Sequence, residues 1–336
     1  MSLPQLAAMA VITPVASFLL GVVLSYEIRK AFARIQSRVG PLLVMYSELR
    51  PVLGASRLLQ PLYDLLKLWF KETVKPETAS QLWFVLSPYA GLILAIGATY
   101  FVPIGGLSPF GDSPFSLVIV LYLLIGIALM WVIGAAASSS PWGAIGARRE
   151  AELMLGFEIT TIASIFSVAI LARSLSISAI VDAQRRLGLP FLVINPLAAL
   201  GMIMGTIARL RLKPFDIPDA EVEIVAGPFT EYSGKLLAVI QSTRLLLTSV
   251  SVALFVDAFL GGGVLASSTP VLDVAINTAA FIVLCIVTTF MIAAVHTLMP
   301  RFRIDQGFLW TLKFAWPLAF SGLALSILLA CLGVGC

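Results

Sequence analysis

The sequence predicts an all-α polytopic membrane protein with about eight transmembrane helices and an additional amphipathic helix. Of its 336 residues, 59% are apolar and only 12% are charged, about half the charged share of roughly 25% in soluble domains. The mean hydropathy is +1.00. These values exclude the common classes of soluble enzyme and also intrinsic disorder, which requires low hydrophobicity and high charge. We expect residues 1–336 to form a single membrane domain.

Long apolar stretches recur along the whole chain. Each is close to the roughly 20 residues needed to cross a bilayer, and the Gly and Pro residues within them are tolerated when neighbouring helices pack against them. No internal repeat of the kind found in many secondary transporters is visible. The predicted spans are Leu3–Tyr26, Leu82–Pro103, Phe115–Ala136, Ala151–Ala172, Phe191–Ala208, Leu236–Leu260, Val271–Val295 and Leu309–Leu332.

Lys and Arg are distributed unevenly between the connecting segments. They are concentrated after the first, fifth and seventh spans and are absent from both termini. The positive-inside rule therefore predicts a cell-membrane protein with both termini outside and with cytoplasmic loops at 27–81 and 209–235. Three basic residues after the fourth span run against this pattern: Arg173, Arg185 and Arg186.

The first cytoplasmic loop is predicted to contain an amphipathic helix. A period of 3.6 residues places Leu58, Leu62, Leu65, Leu66, Trp69 and Phe70 on one face and Gln60, Asp64, Lys67 and Lys71 on the other. Such a helix can lie in the membrane interface or dock on a partner.

Carboxylates occur where a membrane protein should avoid them. Ionisable groups at membrane depth cost a few kcal/mol or more each, and they usually face a bundle interior or a water-filled cavity. We therefore predict a proton relay, because grouped carboxylates in a poorly hydrated site repel one another and some pKa values rise. The candidates are Glu150, Glu152 and Glu158 at the fourth span, and Asp216, Asp219, Glu221, Glu223 and Glu231 in the loop before the sixth.

Spacing predicts how the first group is arranged. Glu150 and Glu158 are eight residues apart, about two helical turns, and should share a face. Arg148 and Glu152 are four apart and can form an ion pair.

The loop acids have two interpretations. If their segment is helical, Asp216, Asp219 and Glu223 share one stripe, although Pro214 and Pro218 would break or kink its start. Alternatively, these acids are solvated loop charges that balance Arg209, Arg211 and Lys213.

No catalytic residue set or metal site is predicted. Cys285, Cys331 and Cys336 have no metal-ligand spacing, and His296 is the only histidine in the sequence. His296 is expected to make a capping or loop contact. We expect the chain to bind no cofactor, so any electron transfer would occur in partner subunits.

Three sequence blocks resemble a known family. They are Arg34-Ile-Gln-Ser-Arg-Val-Gly-Pro41 with Leu59-Gln-Pro-Leu-Tyr-Asp-Leu-Leu-Lys-Leu68; Lys213-Pro-Phe-Asp-Ile-Pro-Asp-Ala-Glu221 continuing to Gly234; and Arg301-Phe-Arg-Ile-Asp-Gln306. Together they resemble the membrane subunit that borders the quinone site of respiratory complex I (NADH dehydrogenase subunit 1 in mitochondria) and its homologues in membrane-bound group 4 [NiFe]-hydrogenases. In order and spacing, they cover nearly the whole chain.

The resemblance implies a non-redox subunit of an oxidoreductase or translocase complex. It implies an anchor that joins a peripheral arm with iron–sulfur clusters, and a [NiFe] centre in the hydrogenase type, to antiporter-like membrane subunits. The acids above would lead from the junction toward those subunits. The residues placed at the peripheral-arm junction are Arg34, Arg38, Gly40, Pro41, Arg148, Arg209, Arg211, Lys213, Arg301, Arg303 and Asp305.

Two features favour the hydrogenase-like branch, with peripheral [NiFe]-hydrogenase-like large and small subunits as partners. The Asn that usually follows Arg-x-Gly-Pro in complex I is absent after Pro41, and residues 147–154 and 227–230 look more like the hydrogenase-type sequences. The alternatives are a quinone-site subunit of a complex I-type enzyme, a stand-alone ion transporter and a passive anchor. The sequence leaves open whether protons or sodium ions are transported.

Overall fold

The computed structural model describes residues 3–38, 40, 57–106, 108–263 and 270–332, and these residues form helices and connecting segments. Within them, seven helices are long and apolar enough to cross a membrane: α1, α3, α4, α5, α8, α9 and α10. In chain order the helices are α1 (Leu3–Ile35), α2 (Gln60–Phe70), α3 (Gln81–Thr99), α4 (Ser116–Ala136), α5 (Pro141–Ala172), α6 (Ile177–Leu187), α7 (Pro196–Arg209), α8 (Gly234–Phe259), α9 (Pro270–Leu298) and α10 (Ile304–Cys331).

Helix α5 begins ten residues before the predicted start at Ala151. Pro141 occupies its first turn, where a missing N–H costs no hydrogen bond. The extension brings Glu150 and Glu152 onto the same helix as Glu158, so the first group of acids shares one rigid scaffold.

The predicted fifth span is a shorter helix. Helix α7 has 14 residues, about 21 Å of rise against a hydrocarbon core of about 30 Å. Asn195 ends the preceding turn, and its Oδ1 accepts a hydrogen bond from the N–H of Ala198 at 3.1 Å. Its Nδ2 donates to the carbonyl of Gly322 and to Ser326 Oγ at 2.7 and 2.8 Å. The short helix is thus held within the bundle by α10.

Helix α8 lies at the centre of the bundle. Most of its residues are buried, and α1, α3 and α9 pack around it, while α5 packs against α4, α7 and α10. In α10 the helix widens into a π-turn at Thr311–Ala315, and the indole of Trp316 donates to the carbonyl of Gly156 on α5 at 2.9 Å. The α5–α10 contact therefore lies two residues from Glu158.

The segment between α7 and α8 is irregular, and the predicted helical stripe of Asp216, Asp219 and Glu223 is wrong. Residues 211–220 form turns, and only Glu221–Ile224 completes a helical turn. Pro214 and Pro218 donate no backbone hydrogen bond, which disfavours a helix there. The acids are instead placed individually by the turns.

Two glycines allow this segment to pack closely on α5. Gly227 has φ +52°, and a Cβ there would meet the carbonyl oxygen of Pro218 at 1.9 Å. A Cβ on Gly146 of α5 would meet the backbone N of Pro228 at 2.5 Å. Both positions therefore exclude larger residues, and the turn at Gly227–Phe229 lies directly on the helix.

Helix α2 confirms the predicted amphipathic helix. Pro61 and Leu65 are buried against the bundle, and Asp64 accepts a 2.8 Å ion-pair contact from Arg29 of α1. Trp69 and Phe70 are exposed, Phe70 at 89%. The outer apolar side of α2 is therefore open on this chain.

Candidate functional site

Arg211 is the centre of a buried group of opposite charges. It follows α7 in the first turn of the irregular segment, and its side chain is 4% exposed. Its Nη2 lies 2.9 Å from Glu150 Oε1 on α5, and its Nη1 donates to Asp219 Oδ1 at 3.0 Å. Asp219 also accepts a hydrogen bond from Arg244 of α8. One carboxylate from the loop and one from α5 thus share two guanidinium groups.

Aromatic rings fix the two guanidinium groups in place. The Arg211 guanidinium lies 4.4 Å from the ring centroid of Trp131 and 4.8 Å from that of Phe229, and Arg244 lies 4.6 Å from the Phe229 ring. Stacking of this kind contributes about 2 kcal/mol where water is excluded. Arginine is suited to this role because its planar group can stack and form two-pronged ion pairs at once.

Glu158 forms the deepest ion pair of α5. Arg209 at the end of α7 donates to both of its oxygens, at 3.1 and 2.6 Å, and the two side chains are 12% and 4% exposed. Glu158 lies 14 residues before the end of α5, about 21 Å along the helix. A carboxylate well inside an apolar span is therefore kept charged by a buried partner.

A small cavity connects the two deep ion pairs. It measures about 30 Å³ and is lined by Glu150, Glu158, Arg209 and Trp131 among others. Among the described residues, Arg209 Nη1 and Trp131 Nε1 are buried donors without a hydrogen-bond partner. A space of this size holds about two or three waters at roughly 10–15 Å³ each. The cavity can thus bridge Glu150 and Glu158 through water.

The remaining loop acids lie nearer the surface. Asp216 accepts a hydrogen bond from Arg301 at 2.5 Å, and Glu223 accepts one from Arg149 at 2.6 Å. The predicted i,i+4 pair is confirmed, since Arg148 Nε lies 2.9 Å from Glu152 Oε1, but it is exposed. Glu152 therefore lies outside the buried group.

A larger cavity opens beside these charges. It measures about 680 Å³ and lies between α1, α2, α8 and the 209–219 segment. Cationic side chains outnumber carboxylates in its lining, six to three: Arg29, Arg209, Arg211, Lys213, Arg244 and Arg301 against Asp64, Asp216 and Asp219. It is therefore a polar chamber with an excess of positive charge. His296 also lines it and accepts a hydrogen bond from the backbone N–H of Lys213 at 2.8 Å, which confirms the predicted loop contact.

The two loop aspartates have opposite pKa shifts. For Asp219, burial raises the pKa, but the charges of Arg244 and Arg211 outweigh it and hold the pKa below the usual 3.8. For Asp216, burial raises the pKa above 3.8, and Arg301 offsets this only in part. For Arg211, burial opposes the charge, yet Glu150 and Asp219 raise its pKa above the ordinary range. Asp216 is thus the loop aspartate that is easier to protonate.

Several predicted residues stand apart from this group. Glu231 makes none of the ion pairs found among the described residues, and Arg34, Arg38, Arg303 and Asp305 are exposed. Gly40 has φ +82°. Pro41 and the side chain of Glu221 lie outside the described residues.

Sequence reasoning missed three parts of the site: Arg244, Trp131 and Phe229. The rarity of charge in an apolar span would have singled out Arg244, had it been applied to cations as well as acids. The same test also finds Glu27 of α1 and the fully buried Asp257 of α8. No simple signal marks the two aromatic residues, because stacking partners are set by the fold.

No group of three or more metal-ligating side chains occurs in the described parts of the chain. The arrangement instead offers carboxylates, guanidinium groups and space for water, which can hold and pass protons.

Comparison with known proteins agrees with this arrangement. The family model described as "NADH dehydrogenase" matches residues 6–327. A membrane subunit of the NADH-quinone oxidoreductase of Syntrophotalea carbinolica is 32% identical, covering 86% of this chain and 84% of that protein. The corresponding subunit of Thermomicrobium roseum is 31% identical, covering 91% and 90%.

One solved structure has the same fold over almost its full length. It is a chain of the membrane-bound sulfane sulfur reductase, an archaeal respiratory membrane complex, with a TM-score of 0.84 and 26% identity over 96% of this chain and 99% of that one. The chain is therefore a multi-pass membrane protein of the NADH dehydrogenase family, to which these NADH-quinone oxidoreductase subunits belong.

Proposed function

We propose that this chain is a membrane subunit of a multisubunit redox-driven ion pump, in which it anchors the electron-transfer arm and couples redox chemistry to ion translocation. The observation that carries the proposal is the continuous set of buried opposite charges from the 211–219 segment to Glu158. This set connects the polar end of the bundle with the interior of α5.

The charges can pass a proton in steps. Asp216 and Asp219 line the large cavity, where a change at a docked partner would alter the local field. Arg211 joins Asp219 to Glu150, so protonating Asp219 would weaken its hold on Arg211 and change the environment of Glu150. From Glu150 the small cavity provides water toward Glu158. Each step uses groups already in contact or separated by one or two waters.

The partners follow from the resemblance and the charge distribution. In this proposal the loops at 27–81 and 209–235 face the cytoplasm, both termini lie outside, and the host bilayer is the cell membrane. Peripheral [NiFe]-hydrogenase-like subunits with iron–sulfur clusters dock near the basic residues of these loops, and antiporter-like subunits lie beside the bundle. The chain itself takes no electron.

A quinone-site role has less support in the sequence, because the Asn typical of that branch is absent after Pro41. A stand-alone transporter is not favoured either, since the similar proteins are subunits of larger complexes.

Purification of this chain from native membranes tests the proposal. We expect iron–sulfur and antiporter-like subunits to co-purify, and the reconstituted complex to generate an ion gradient only while it turns over a redox substrate. Gradient formation or dissipation by the purified chain alone would contradict the proposal. A complex that turns over without any ion movement would reduce the chain to an anchor.

A further inference from the structure

A second groove lies on the side of α1 away from the charged chamber. It runs between α1 and α9, measures about 560 Å³ and is closed at one end by Leu58. Its walls are almost entirely apolar, and Ile286 and Phe290 of α9 are exposed within it. These two residues are four apart on α9 and therefore lie on one face. We call this the α1–α9 groove.

Cations stand at one end of the α1–α9 groove. Lys30 and Arg34 lie in the last turns of α1, four residues apart, and both line the groove. Glu27 lies one turn deeper, and its Oε2 is buried without a hydrogen-bond partner among the described residues. The lining thus has two positive charges and one negative charge at the end where α1 finishes, and apolar side chains along the rest.

The length of the groove matches half of a bilayer. Its α1 wall runs from Val23 to Ile35, about 18 Å of helix, and one leaflet of the hydrocarbon core is about 15 Å thick. An apolar channel of leaflet length with cations at the headgroup level has the shape and charge of a phospholipid site. A soluble ligand would have no use for such a long apolar wall.

We propose that the α1–α9 groove binds an anionic phospholipid, with its phosphate on Lys30 and Arg34 and an acyl chain along Ile286 and Phe290. The net charge of the lining is +1, which a single phosphodiester neutralises. Glu27 is placed to accept a hydrogen bond from a hydroxyl of the headgroup, as phosphatidylglycerol carries. A zwitterionic lipid would bring its own cation to a site that already has two.

Photo-crosslinking in nanodiscs tests the site directly. The intact complex is placed in nanodiscs that carry either phosphatidylglycerol or phosphatidylcholine with a diazirine in the acyl chain, and labelled peptides of this chain are mapped. We expect the peptide with Ile286 and Phe290 to be labelled by phosphatidylglycerol well above phosphatidylcholine. Each surface cation contributes about fivefold, so two contribute about 30-fold.

The variants separate headgroup from chain. Lys30→Gln with Arg34→Gln should reduce phosphatidylglycerol labelling to the phosphatidylcholine level, while Phe290→Trp, which fills the groove, should reduce labelling by both lipids. Arg185→Gln with Arg186→Gln removes two exposed cations on α6 and should change nothing. Equal labelling by the two lipids, or crosslinks at Phe290 to a neighbouring subunit instead of lipid, would overturn the proposal.

Discussion

Helix α5 carries two kinds of ion pair. Near its start, Arg148 and Glu152 pair at 2.9 Å with side chains 83% and 38% exposed; further along, Glu158 pairs with Arg209 at 2.6 Å with 12% and 4% exposed. The contacts have similar lengths, but water screens only the first pair. The comparison teaches that burial, rather than distance, decides which charges of this helix can hold the structure and store a proton.

The largest effect is expected where a buried pair loses its shared cation. Arg211→Gln leaves Glu150 and Asp219 facing one another without the guanidinium between them. Breaking a buried pair from one side costs about 3–5 kcal/mol, so the thermal unfolding midpoint should fall sharply. Scanning fluorimetry of the purified complex measures it. A midpoint unchanged from wild type would show that these charges are solvated.

The ring between the two guanidinium groups has an intermediate effect. Phe229→Leu removes the stacking surface that Arg211 and Arg244 share, and we expect a loss of about 2–4 kcal/mol from stacking and packing together. Phe314→Leu, at an exposed phenylalanine, is the matched control and should lie close to wild type. Equal losses in the two variants would remove the stacking explanation.

The loop aspartates should separate on acidification. The Asp216 pKa lies above 3.8 and the Asp219 pKa below it, so Asp216 protonates first as the pH falls. Stability from Asp219 is present above pH 3.8 and is lost as the pH falls through its lower folded pKa; the contribution of Asp216 is present below pH 3.8 and is lost as the pH rises through its higher folded pKa.

Infrared titration of the carboxylic C=O stretch measures this order. Asp216→Asn should remove the aspartate band that appears first on acidification, and Asp219→Asn should leave it in place. The reverse assignment would mean that the ion pairs of these two residues differ from those described above.

The smallest effect is expected at the exposed pair. Arg148→Gln removes an i,i+4 contact that contributes about 0.3–0.5 kcal/mol, which is barely detectable in the unfolding midpoint. A loss as large as that of Arg211→Gln would erase the distinction between the two ends of α5. Such a loss would also point to a partner subunit bound at Arg148.

The sequence predicts the membrane class, the positions of the spans and the amphipathic helix, because these depend on composition and local periodicity. It also identifies Glu150 and Glu158 through the rarity of charge in apolar spans. It predicts the partner only of Glu152, four residues from Arg148. The partner of Asp216 is Arg301, 85 residues away, and such long-range pairs are set by helix packing rather than by spacing.

Two further differences have physical causes. The helical stripe through the loop fails because Pro214 and Pro218 lack backbone donors. The predicted fifth span is short because Asn195 ends one turn and caps the next. Both departures lie beside the charged group, where irregular backbone is tolerated because protein and cavities surround it.

The comparison of Glu158→Gln with Glu152→Gln tests the central claim most directly. Both variants replace a glutamate of α5 by its neutral isostere, and the readout is the number of ions translocated per redox turnover in proteoliposomes, with subunit content as the assembly control. We expect Glu158→Gln to assemble normally and to lose translocation about 100-fold or more, while Glu152→Gln translocates like wild type. Normal translocation by Glu158→Gln in a fully assembled complex would contradict the account.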